Sequence, residues 1–79
     1  MKVGAIFNVR GNVTRGGDLR RFVCTHTVGN VLEGVVCNIN GRARWSGRPV
    51  GFAVSECEII GQASDRVVAQ NAAALERAA

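Results

Sequence analysis

Apolar and polar residues alternate from Val3 to Val9, with Val3, Ala5, Phe7 and Val9 on one side and Gly4, Ile6, Asn8 and Arg10 on the other, the period of a half-buried β-strand. Gly11-Asn12 predicts a tight turn into a short return through Val13 and Thr14. Gly16-Gly17-Asp18 predicts a looser connection, and a second strand pattern runs from Leu19 to Val28. Gly29-Asn30 and Asn40-Gly41 have the chemistry of two-residue hairpin turns, because Gly and Asn supply the positive φ angles such turns need. Tight turns fix register. The first sets Val28 opposite Val31, His26 opposite Glu33, Cys24 opposite Val35 and Phe22 opposite Cys37. The second sets Ile39 opposite Arg42 and Cys37 opposite Arg44.

Taken together, these pairings sort the side chains onto two faces. One carries Val23, Leu32, Val36, Ala43 and Trp45, with Arg21, Thr25, Thr27 and Asn38 at its margins, and is the expected core. The other carries Arg20, Phe22, Cys24, His26, Glu33, Val35, Cys37, Ile39, Arg42 and Arg44. That mixture is too polar for a dry interior and is the expected functional face. A slip of one residue would exchange the two sets, so the assignment depends on the turns.

Ser46-Gly47-Arg48-Pro49 breaks the chain after Trp45, and Val50 to Ile60 reads as one or two further strands. Ser64 has the chemistry of a helix N-cap with Asp65 in the first turn. Val68, Ala72, Leu75 and Ala79 then form a narrow apolar stripe on a helix over about residues 65–78. The expected fold is α+β: one domain over residues 1–79, with five to six antiparallel strands within about residues 3–60 and one C-terminal helix.

At 79 residues, such a domain buries only about 60 to 65% of its unfolded surface. With 47% hydrophobic residues it has apolar surface to spare for a homodimer. Charge is unevenly placed. Residues 1–48 hold Lys2, Arg10, Arg15, Arg20, Arg21, Arg42, Arg44 and Arg48 against Asp18 and Glu33, a net +6, whereas residues 49–79 carry −2. The basic charge therefore belongs to the strands, and a folded positive face favours phosphate or acidic protein partners. Nine of the ten basic residues are arginine, whose planar fork suits bidentate contact with phosphate or carboxylate; Arg- and Ala-rich usage also fits a high-GC genome. Cys24, Cys37 and Cys57 are odd in number and widely spaced, which fits a reducing cytoplasm. The first eight residues lack an apolar stretch long enough for a signal sequence or a membrane span, so a soluble protein without membrane partners is expected.

Candidate chemistry centres on Arg20, Arg42 and Arg44 around Phe22, with Arg48 in the following loop and Arg10 and Arg15 near the first turn. Guanidinium groups would neutralise phosphates while a base stacks on Phe22, worth about 1 to 3 kcal/mol. Solvated strand arginines are the competing explanation. Cys24, His26, Cys37 and Cys57 could in principle surround zinc, but no Cys-x-x-Cys knuckle is present, so no metal and no cofactor are expected. His26 opposite Glu33 resembles an oriented base. It sits on a flat sheet without a Gly-rich oxyanion loop, and no enzymatic activity or small-molecule substrate is expected. Gly11, Gly16 and Gly17 among Arg10 and Arg15 resemble a phosphate nest without the Lys-Ser/Thr of a P-loop, so they are read as turns.

Ala-Ala-Leu-Glu-Arg at residues 73–77 resembles the end of the small plasmid-borne dihydrofolate reductases, whose fold is an SH3-like barrel. That family's Gln-Ile-Tyr run has no counterpart in a chain without tyrosine. What the resemblance implies is therefore an SH3-like, partly closed barrel, not the activity. In its length and lack of a catalytic set, the chain is also similar to the inhibitors of phages and mobile elements, anti-CRISPR proteins above all, although its basic character departs from the acidic DNA-mimic type among them. That similarity implies a stoichiometric binder of nucleic acid or of a nucleoprotein effector. The rival expectation is a homo-oligomeric phage accessory protein, with Cys24, Val35, Cys37 and Ile39 forming the subunit interface.

Overall fold

The computed structural model describes residues 3–37 and 48–71. Strands β1 (Ala5–Val9), β2 (Phe22–Val28), β3 (Val31–Val36), β4 (Val50–Ala53) and β5 (Cys57–Gln62) are followed by helix α1 (Asp65–Gln70). They form one antiparallel sheet in the order β4-β3-β2-β1-β5. The edge strands β4 and β5 are consecutive in the chain, joined only by the 3-10 helix Val54–Glu56, so the sheet must curl to bring them together. Backbone bonds hold the curl: the Val54 N–H donates to the Asn30 carbonyl at 2.9 Å, and the Arg10 N–H to the Glu56 carbonyl at 2.9 Å. The result is the expected α+β architecture, a partly open five-stranded sheet with a short C-terminal helix. The Asn40-Gly41 turn, the Ile39–Arg42 and Cys37–Arg44 pairs, Ala43, Trp45 and the distal helix stripe lie outside the described residues.

Gly29-Asn30 closes the β2–β3 hairpin as its sequence predicts. Gly29 has φ 57° while Asn30 stays out of the positive-φ region, the pattern of a type II′ turn. Val28 pairs with Val31 and His26 with Glu33, also as predicted. Beyond that point the register moves by one residue: Cys24 faces Gly34, Val23 faces Val35 and Phe22 faces Val36. Thr25 is the extra residue of a β-bulge. Its side chain is buried, and its Oγ1 donates to the Glu33 carbonyl at 3.2 Å.

The bulge overturns the predicted faces. Phe22 and Cys24 turn to the inside of the curl with Ala5, Phe7, Val9 and Leu32, and Phe52 and Cys57 pack against this cluster. Phe7, Phe22 and Phe52 form an aromatic trio with ring centroids 4.9 to 6.2 Å apart. Val23 joins Val35 and Ala63 on the outer face, beneath Val67 and Val68 of α1. Val36, expected in the core, is 56% exposed. β1 is buried on both faces, not half-buried: Ile6, on the face opposite Ala5, Phe7 and Val9, is covered as well. Helix α1 starts where Ser64 predicts, with its Oγ accepting the Val67 N–H at 3.3 Å.

Candidate functional site

The connection between β1 and β2 is a small structured arm. After β1, the Asn12 N–H donates to the Val9 carbonyl at 3.1 Å, across a turn in which Gly11 takes φ 76°. The arm returns through an antiparallel bridge between Val13 and Leu19, and the Arg20 N–H donates to the Asn12 carbonyl at 3.0 Å. Its far end is tied by Thr14 N–H to the Asp18 carbonyl at 2.7 Å and by Gly17 N–H to the Thr14 carbonyl at 3.0 Å, with Arg15 exposed between them. This pairing sets Arg10 and Arg20 at the base of the arm.

Both arginines line one open groove of about 530 Å³, together with Val9, Asn12, Val13, Phe52 and Glu56. Arg20 is held in place, since its Nε donates to the Val13 carbonyl at 3.1 Å and leaves the terminal guanidinium nitrogens for a ligand. A fixed guanidinium loses less freedom on binding than a mobile one. On the other side of Arg10 and Gly11 lies a hollow of about 300 Å³ whose lining includes Asn8, Leu19, Glu56 and Glu58. The charge thus changes sign across the turn, and only the arginine side offers an aromatic wall.

The residues expected to form the site separate in the structure. Arg10 and Arg20 come together; Arg15 is at the far end of the arm and Arg48 precedes β4, both exposed and neither lining the groove. Arg42 and Arg44 lie outside the described residues. Phe22 cannot serve as a stacking platform: it is 3% exposed and packed between Phe7 and Phe52. The ring that reaches the groove is Phe52, which sequence reasoning treated only as a strand residue. The proposed subunit interface also divides, because Cys24 faces the interior while Val35 lies under α1.

The thiols are poorly suited to chemistry. Burial pushes all three above their ordinary value. It is opposed at Cys37 by Arg21 and reinforced at Cys57 by the charge of Glu56. The Cys24 thiol donates to the His26 carbonyl at 3.5 Å, and the Cys57 thiol to the Ala53 carbonyl at 3.3 Å. Among the described residues no cluster of three His, Cys, Asp or Glu side chains could hold a metal ion. His26 is the cross-strand partner of Glu33, yet its Nδ1 is buried without a hydrogen bond and so is not oriented as a general base requires. No helix among the described residues is long and apolar enough to cross a membrane. No protein-family model, curated protein or solved structure matches the chain.

Proposed function

We propose that this chain is a non-enzymatic binding protein whose arginine-bearing surface engages nucleic acid or a nucleic-acid-processing complex, most concretely as a stoichiometric inhibitor of a CRISPR-Cas effector. The observation that carries the reading is the convergence of Arg10 and Arg20 on one groove walled by Phe52. Two guanidinium groups bracket a phosphate or a carboxylate, and the ring beside them offers a base or an apolar side chain a surface to rest on. Arg15 and Arg48 are exposed, and with Arg42 and Arg44 they contribute to the net +6 of the first 48 residues, a charge that favours an anionic partner.

The test is binding to single-stranded and duplex oligonucleotides across a salt series, read by fluorescence anisotropy, alongside effector cleavage with increasing amounts of this protein. The reading expects affinity to fall with salt, and the combined Arg10→Ala, Arg20→Ala variant to flatten the log–log slope by roughly 0.7 per lost contact on single strands. It also expects inhibition that saturates near one copy per effector and weakens in the same variant. Oligonucleotide binding and inhibition that are both indifferent to the double substitution, in a folded variant, would remove the groove from the mechanism.

A further inference from the structure

We propose that the outer edge of β4 is an interface between two copies of this chain, paired antiparallel about a two-fold axis at Phe52. The hydrogen-bond pattern shows which groups would make it. Val54 N–H donates to Asn30 just beyond the strand, and the bonded positions of an antiparallel pair alternate. Phe52 and Val50 therefore direct their backbone groups toward β3, while Gly51 and Ala53 direct theirs outward, the Ala53 carbonyl already accepting the Cys57 thiol at 3.3 Å with one of its two lone pairs. Among the described residues no strand lies beyond β4, and Val50–Ala53 carries no charged side chain to guard the edge.

Exposed apolar residues border this edge. Of the nine large hydrophobic residues exposed among the described residues, Val28, Val31, Val36, Val50 and Val54 lie on β4, on the hairpin strands next to it, or directly after it. Ala53, Val31 and Val28 form one continuous cross-strand row reaching the edge. Val50, opposite Gly34, and Val36 lie on the other face. A second copy that continues the sheet packs its own edge residues beside Ala53 on one face and Val50 on the other, the two ends of these sets nearest the edge.

Charge selects the second copy and its register. Matching the outward residues of both copies sets Gly51 opposite Ala53 and Ala53 opposite Gly51, with Phe52 opposite itself. The same register sets Arg48 of each copy level with the 3-10 helix of the other, which carries Glu56. The two-fold repeats this opposite-charge pair at both ends of the interface. An extended peptide from another protein would satisfy the backbone but would bring this charge pattern only by chance.

Sedimentation velocity of the full chain from low to high micromolar concentration tests the proposal. A monomer–dimer equilibrium is expected, weakened about tenfold by Gly51→Pro, which removes one outward N–H and leaves the ladder to β3 intact. Because that variant could also disturb the strand, a charge series on exposed residues decides independently. Arg48→Glu alone and Glu56→Arg alone weaken the dimer, and both changes in one chain restore it. Phe52 and Glu56 also line the proposed groove, so its arginines are the distinguishing probe: the Arg10→Ala, Arg20→Ala variant keeps the dimer while it loses groove binding. A chain that stays monomeric throughout, or a dimer that the double exchange fails to restore, overturns the proposal; in the former case an edge that captures a foreign strand is the surviving alternative.

Discussion

At the tip of the β2–β3 hairpin, Val28 faces Val31 and His26 faces Glu33, all four in contact with solvent; at its root, Cys24 and Phe22 face Gly34 and Val36 and are closed off from it. The same two strands thus obey two registers, joined by the bulge at Thr25. At the tip, the two-residue turn decides which residues meet. At the root, the interior decides, because Phe22 buried against Phe7 and Phe52 recovers far more free energy than a straight ladder would. A turn governs pairing only as far as the first place where packing outweighs it.

The largest effect should come from the root. Phe22→Ala is expected to lower unfolding free energy by about 3 to 5 kcal/mol in a denaturant titration. On the face that turn-based register assigns it, the same change would stay within about 0.5 kcal/mol. Gly34→Ala should follow at about 1 to 3 kcal/mol. A Cβ there would sit 2.8 Å from the Val23 carbonyl oxygen and 2.9 Å from the Phe7 ring, and neither can retreat without disturbing the core. Thr25→Val tests the bulge. It removes the bond to the Glu33 carbonyl in a buried setting and should cost about 1 kcal/mol, whereas Val28→Thr at the 64% exposed tip should be nearly neutral.

A smaller effect concerns pH. The folded-state pKa of Cys24 is raised above its ordinary value of 9.0, chiefly by burial, so the folded chain retains a proton that the unfolded chain gives up. The stability this contributes is complete below the unfolded value and is lost as pH rises through the folded one. Stability measured from neutral pH to above 9 should therefore decline, and Cys24→Ala should flatten the decline.

Much of the fold was legible in the sequence because it rests on local chemistry. The alternation of β1, the Gly29-Asn30 turn and the Ser64 cap each act over a few residues. The faces were not legible, because the bulge is a tertiary event. Its one local trace is Gly34, a glycine inside a strand, the position where another chain or ring must approach closely. That trace would have reversed the assignments of Phe22 and Cys24. Of the candidate site, the arginines were legible as a cluster of charge. The pairing of Arg10 with Arg20 depends on the Val13–Leu19 bridge, and the arrival of Phe52 at the groove depends on the curl that joins β4 to β5.

The register at the root carries the rest of the account, and proton–proton contacts measured by NMR in solution test it most directly. The account predicts contacts from the Phe22 ring to the rings of Phe7 and Phe52, with backbone contacts pairing Cys24 with Gly34. Contacts pairing Cys24 with Val35, together with a solvent-exposed Phe22 ring, would contradict it.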